Sequence, residues 1–150
     1  MPNTPLLLGA GATALAKGER VSEEEFEFVR SLFDLSGETA VIAKDKMKEI
    51  ISVNGSTPAY IYLFAKGFVD YAKQTGIDEQ TALRLFCATL KGSAEMMLHS
   101  GRSIYELIKM VSSPGGTTLA GLEVFEQNDL LGTIRRSCEA CTKRAYELSK

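Results

Sequence analysis

Apolar and polar positions along this 150-residue chain fall into two regimes. Up to about residue 44 the apolar runs are short and broken by glycine and proline. Beyond it they recur at helical spacing. Met1-Pro2-Asn3-Thr4-Pro5 holds two prolines and an asparagine, which predicts a turn or loop. Leu6-Leu7-Leu8 and Gly9-Ala10-Gly11 follow. The small apolar run 12–16 suits a strand or a helix turn; Lys17-Gly18-Glu19-Arg20 ends it so soon that we read a strand. Ser22-Glu23-Glu24-Glu25 is a capping box, with acidic residues favoured by the helix dipole. Phe26, Val29, Leu32, Phe33 and Leu35 then predict an amphipathic helix over 22–35, stopped by Gly37. Residues 39–43, Thr-Ala-Val-Ile-Ala, read as a short buried strand. Strand, helix, strand in so short a span is the end of an α/β unit, and the rest of its sheet is expected to precede Met1.

The remainder predicts helices. Residues 46–53 carry Met47, Ile50 and Ile51 on one face. Asn54-Gly55-Ser56-Thr57-Pro58 interrupts them, with Ser56 or Thr57 able to cap the next helix and Pro58 tolerated in its first turn. From Pro58 to Gln74, Tyr60, Ile61, Leu63, Phe64, Phe68, Val69 and Tyr71 leave no polar face, which predicts a helix buried on more than one side, at the centre of the fold or at a subunit interface. Thr75-Gly76 ends it. Asp78 caps a helix running to about Ser100, in which Gly92-Ser93-Ala94 leaves room for a close helix crossing; Gly101 stops it. Ser103 caps a short helix with Ile104, Leu107, Ile108 and Val111. Ser113-Pro114-Gly115-Gly116-Thr117-Thr118 is the next break. A helix to about Gln127 follows, Asn128-Asp129 breaks and caps, and residues 130–148 form the last helix, with Ile134, Cys138, Cys141, Ala145 and Leu148 as its apolar stripe. The fold class is therefore mainly α, preceded by a short strand-helix-strand piece.

Composition narrows the function. A net charge of −2 gives no electrostatic footprint for nucleic acid or an anionic membrane. No apolar run reaches membrane-spanning length, and no basic secretory start is present, so a cytoplasmic location is expected. Three cysteines are too few for a disulfide framework.

Four features could carry chemistry. In Ser113–Thr118, Pro114 ends one helix, Gly115 and Gly116 permit positive φ and close approach of a ligand, and Thr117 or Thr118 can cap the helix that follows. The free N–H groups at that helix start would face a carboxylate or phosphate, although by itself the hexapeptide reads more often as a plain connection. Gly9-Ala10-Gly11-Ala12-Thr13-Ala14 fits the letters of a dinucleotide fingerprint but lacks the full strand before it and the helix after it, and reads as a glycine-rich loop. Cys138-Glu139-Ala140-Cys141 lies inside a helix without further ligands, so no metal site is read; the cysteines read as small buried hydrophobes. His99, the only histidine, has no nucleophile paired with it.

At these residues the chain resembles the pyrroline-5-carboxylate reductase family. Met1-Pro2-Asn3-Thr4-Pro5 matches the family's MPNTP segment and Gly11-Ala12-Thr13 the strand after it. Residues 54–60, Asn-Gly-Ser-Thr-Pro-Ala-Tyr, resemble SGSGPAY, with Asn54 for Ser and Thr57 for Gly. Residues 111–122, Val-Ser-Ser-Pro-Gly-Gly-Thr-Thr-Leu-Ala-Gly-Leu, are close to V-[ST]-SPGGTT-IAGL. The matches are collinear and span the chain, and they turn the reading of Ser113–Thr118 from a connection into a site.

The resemblance implies a division into residues 1–44, the tail of a dinucleotide-binding Rossmann domain, and 45–150, a helical dimerisation and substrate-binding domain of the 6-phosphogluconate-dehydrogenase-like type. It implies NADPH- or NADH-dependent reduction of 1-pyrroline-5-carboxylate to L-proline by the complete enzyme, with hydride delivered to the C=N carbon. It implies that Gly115, Gly116 and Thr117 hold the substrate carboxylate, Ser113 completes the turn, Thr118 is the catalytic hydroxyl on the ring nitrogen, and Asn3 and Thr4 lie near the nicotinamide. Catalysis would be mainly positioning. The implied assembly is a homodimer, in some members a ring of dimers. Without the cofactor fingerprint this chain is expected to bind no cofactor alone and to be inactive alone. The alternatives are a non-enzymatic helical dimerisation module from a truncated reductase paralogue and, against the SPGGTT signature, a helical domain from another β-hydroxyacid-type dehydrogenase.

Overall fold

The computed structural model describes residues 1–149. Strands β1 (Gly11–Leu15) and β2 (Gly37–Val41) pair in parallel, from Gly11 opposite Gly37 to Leu15 opposite Val41. Parallel neighbours need a crossover, and helix α1 (Glu23–Asp34) supplies it. Its start is the capping box: Ser22 Oγ accepts from Glu25 N at 3.2 Å while Ser22 N donates to Glu25 Oε2 at 2.9 Å. Two glycines let the backbones meet. A Cβ on Gly37, whose φ is +139°, would lie 2.0 Å from the Gly11 carbonyl oxygen, and one on Gly11 would lie 2.7 Å from Leu6 Cβ. Leu6 belongs to a 3-10 helix at Thr4–Leu8, where proline content had predicted only a turn. Thr13, Ala14, Phe26 and Thr39 are buried around this junction.

Two local expectations are corrected. The second strand begins at Gly37, two residues earlier than its β-branched run suggested, and of its residues only Thr39 is buried. Pairing with β1 sets its limits: Gly11 N donates to Ser36 O at one end and Ile42 N to Leu15 O at the other, both at 2.8 Å. Residues 46–53 do not form one helix. A 3-10 turn at Lys44–Lys46 is followed by a wide π-type turn at Ile51–Gly55, closed by Ser56 N donating to Ile51 O at 2.8 Å. The Thr57 hydroxyl donates to Ser52 O at 2.8 Å, so this departure from glycine satisfies a carbonyl of the wide turn.

Five further α-helices follow: α2 (Thr57–Gln74), α3 (Glu79–His99), α4 (Ile104–Met110), α5 (Thr117–Gln127) and α6 (Leu130–Leu148). Their ends are where local chemistry puts them. Asp78 accepts from Thr81 N at 2.8 Å, Ser103 and Glu106 form a second capping box, Gly101 takes φ +69°, and Asp129 Oδ1 accepts from Gly132 N at 3.2 Å. Among the described residues no helix is long and apolar enough to cross a membrane.

The chain divides into two compact units. The first holds Met1–Tyr62 and the chain from Ile134 onward; the second holds Leu63–Thr133. In the first, α6 turns Cys138, Cys141 and Ala145 partly inward, and the Tyr146 hydroxyl donates to Glu49 Oε1 at 2.8 Å. The expected stripe is incomplete, because Ile134 and Leu148 are exposed. In the second, Phe68 stacks on Phe86 at 5.0 Å between ring centroids and Phe64 meets Phe125 at 6.1 Å. Yet Leu63 stays 71% exposed, Phe68 48% and Phe64 42%, while Pro58 and Ala72 are the buried apolar residues of α2. In the single chain most of the large apolar side chains of α2 stay exposed, which favours the second of the two settings expected for it, a subunit interface. Contiguous apolar surface of this kind marks an interface.

Candidate functional site

Ser113–Thr118 folds as a tight turn leading directly into α5. Gly116 N donates to Ser113 O at 2.9 Å, and Gly115 takes φ +70°, a left-handed conformation that glycine adopts without strain. A Cβ on Gly116 would stand 2.6 Å from Ser113 Oγ and 3.0 Å from Ser113 O. Each glycine is needed for its own reason, one for backbone angle and one for space. The N-cap position is Gly116, and no side chain caps the helix. Thr117 and Thr118 are its first two residues, which corrects the expectation that one of them caps it. An uncapped helix start presents its first N–H groups outward. The first intrahelical bond is the long one from Ala120 N to Gly116 O, 3.4 Å. Thr117 and Thr118 are exposed, so backbone donors and a hydroxyl are offered together at the positive end of a helix dipole. This arrangement can hold an anion and donate one hydroxyl hydrogen bond.

Asn3 and Thr4 belong to the first unit, whereas Ser113–Thr118 belong to the second. Both ends of the Asn3 amide are engaged: Oδ1 accepts from Ala12 N at 2.9 Å, and Nδ2 donates to Asn54 O at 3.4 Å. Asn54 in turn donates through Nδ2 to Met1 O at 3.1 Å and to Ala12 O at 3.0 Å. The two amides therefore tie the N-terminal segment, β1 and the wide turn before α2 into one network. Asn54 Oδ1 is buried without a hydrogen-bond partner. Thr4 is exposed at the start of its 3-10 helix. Sequence reasoning noted Asn54 only as a departure. The available signal was chemical, since asparagine can donate twice from a position where serine donates once.

The remaining motifs carry less. Gly9–Ala14 runs into β1, not into a helix, so it forms no phosphate-binding fingerprint. His99 Nε2 lies 3.3 Å from Glu95 Oε2 on the exposed side of α3. Among the described residues there is no group of three or more His, Cys, Asp or Glu that could hold a metal. Beside Tyr146, the Lys48 ammonium sits 4.3 Å from the ring centroid. The Tyr146 hydroxyl holds the Glu49 carboxyl below the usual carboxylate range, and Glu49 pushes the phenol up.

Comparison with known proteins adds an independent line. A family model described as pyrroline-5-carboxylate reductase dimerisation matches residues 44–148. The chain is 35% identical over 150 residues to the pyrroline-5-carboxylate reductase of Corynebacterium melassecola, covering all of this chain and 56% of that protein. It is 37% identical over 150 residues to that of Pisum sativum, covering 99% of this chain and 55% of that protein. Among solved structures, Plasmodium falciparum pyrroline carboxylate reductase with NADP bound superposes with a TM-score of 0.95 at 29% identity, over 100% of this chain and 62% of that one. The Coxiella burnetii pyrroline-5-carboxylate reductase superposes with a TM-score of 0.92 at 35% identity, over 100% of this chain and 56% of that one. The chain thus spans little more than half the length of the curated relatives it matches.

Proposed function

Because the chain belongs to the pyrroline-5-carboxylate reductase dimerisation family, we propose that it supplies the dimer-forming and substrate-binding part of an enzyme that reduces 1-pyrroline-5-carboxylate to L-proline. The observation that carries this reading is the Ser113–Thr118 turn, with Gly115 at φ +70° and no side-chain cap on α5. In the proposal, Gly115, Gly116 and Thr117 hold the substrate carboxylate through backbone N–H groups, Ser113 shapes the turn, and the Thr118 hydroxyl bonds the ring nitrogen. These groups orient the C=N bond, and orientation is a large part of such a catalyst's task.

A nicotinamide cofactor, NADPH or NADH, would supply the hydride. The described residues do not fit the whole dinucleotide: β1, not a helix, follows Gly9–Gly11, which leaves no pyrophosphate cradle there. Only Asn3 and Thr4 are assigned to its nicotinamide end, and we route no step through a cofactor held by this chain alone. Residues 1–44 are read as the tail of the dinucleotide-binding domain and 45–150 as the helical domain, a reading supported by a family match that begins at residue 44. The exposed apolar sides of α2 and its neighbours are read as the surface of a homodimer, with rings of dimers as a higher assembly. The compartment is read as the cytoplasm, where free thiols such as Cys87, Cys138 and Cys141 stay reduced.

The test is calorimetric titration of the purified chain with L-proline and with prolinamide. Proline is expected to bind and prolinamide to bind more weakly, because the amide lacks the charge. Loss of one hydrogen bond in Thr118→Ala, about 1 kcal/mol, is expected to weaken proline several-fold. Equal binding of the two ligands, or no proline binding, would overturn the substrate reading and favour a non-enzymatic helical module. The chain alone is expected to show no NADPH-dependent turnover.

A further inference from the structure

The cysteine pair on α6 remains outside the function proposed above. Cys138 and Cys141 are free thiols, and the structure leaves both half-buried, not packed away as small hydrophobes. Cys141 Sγ lies 3.2 Å from Ser56 Oγ. The Tyr60 phenol borders the same place: burial and then the neighbouring Cys141 and Cys138 push it upward. All four residues belong to the first unit; Ser56 and Cys141 meet where α6 packs beside the start of α2, with Cys138 one turn earlier on α6 and Tyr60 one turn into α2.

Spacing decides what the two sulfurs can do. Residues three apart on a helix have Cβ atoms roughly 5–6 Å apart, whereas a disulfide needs about 3.5–4.5 Å. The pair cannot close on itself without unwinding α6. A single soft atom can bridge it, because two bonds of about 2.3 Å, the length of a zinc–thiolate bond, to a pyramidal trivalent centre need the sulfurs only about 3.5 Å apart. Thiolates are the soft ligands of proteins and select soft, thiophilic centres over hard cations. Ser56 can donate to Cys141 once that sulfur is bound as a thiolate.

We propose that Cys138 and Cys141, bordered by Ser56 and Tyr60, form a vicinal-dithiol site that captures a trivalent organoarsenical as a two-sulfur chelate. The step balances without an oxidant. An arsenous oxide group, R–As=O, meets two thiols; two As–S bonds form, the arsenic–oxygen bond breaks, and both thiol protons leave with that oxygen as water. Neither arsenic nor sulfur changes oxidation state.

Phenylarsine oxide tests this on the full chain, in a large excess of the monothiol 2-mercaptoethanol, with intact-mass readout. One phenylarsenic group is expected to be retained and, once the monothiol is removed by gel filtration, two of the three thiols are lost to a thiol-counting reagent. Cys87, exposed and in the other unit, stays reactive, and 2,3-dimercaptopropanol strips the adduct. Cys138→Ala and Cys141→Ala are each expected to lose retention at least tenfold, because a one-sulfur adduct exchanges with the monothiol, while Cys87→Ala keeps it. Circular dichroism checks that each variant is folded; Cys138→Ser and Cys141→Ser replace any that is not. No retained adduct on the parent chain, or retention undiminished in either single variant, would overturn the proposal.

Discussion

Gly116→Ala is the sharpest perturbation of the proposed carboxylate turn. The added Cβ would sit 2.6 Å from Ser113 Oγ and 3.0 Å from Ser113 O, against 3.4–4 Å for ordinary contact. The hydroxyl can rotate away. The carbonyl cannot, because it accepts the bond from Gly116 N that closes the turn at 2.9 Å. The turn must therefore open by a few tenths of an ångström, and overpacking of this kind costs about 1–3 kcal/mol. At fixed protein concentration, each kcal/mol lowers Tm by about 2–4 °C for a chain of this size. The displaced α5 donors should also weaken L-proline about tenfold or more, since about 1.4 kcal/mol corresponds to a factor of ten. Ser113→Ala removes the closer of the two contacts. Because the hydroxyl can rotate aside, Ser113→Ala and Gly116→Ala in a double-mutant cycle read by Tm should add to within about 0.5 kcal/mol. Unchanged Tm and unchanged proline affinity in Gly116→Ala would refute the geometric argument, and a coupling of about 1 kcal/mol or more would show that Oγ, not the carbonyl, carries the strain.

Two further outcomes follow from the same structure. Tyr146→Phe removes the hydroxyl that holds Glu49 low; a depressed folded-state carboxyl adds stability above its ordinary value of 4.5, which is lost as pH falls through the folded value. The variant should lose that increment and raise the Glu49 titration midpoint, read by carbon-detected NMR, and an unmoved midpoint would exclude the hydrogen bond as its cause. Leu63→Glu changes a side chain already 71% exposed in the single chain, so α2 should still form. If the face is a two-fold dimer surface, the loss of about 1.5–3 kcal/mol per buried leucine counts twice, and light scattering should show monomer; an unchanged dimer would exclude Leu63 from the interface.

The amino-acid sequence by itself determined several helix ends and the turn at Ser113–Thr118, but not the cap of α5, which falls on Gly116. Ser22 with Glu25, Ser103 with Glu106, Asp78 with Thr81, and Gly101 bond or bend within four residues, so local chemistry is enough to place them. The Ser113–Thr118 turn was legible for the same reason: Pro114, Gly115 and Gly116 act on their own backbone angles. Tertiary structure decided what depends on distant partners. Gly37 begins β2 because the Gly11 backbone lies against it. Asn54 ties Met1 and Ala12 across 53 and 42 residues of chain, a pairing no periodicity encodes. Residues 46–53 have the apolar spacing of a helix, yet the Ile51 carbonyl is taken by Ser56 and the Ser52 carbonyl by Thr57. The apolar pattern of α2 announced burial but not against what; only the folded chain shows its sides still open, because hydrophobic burial is non-directional and is completed by whichever surface arrives.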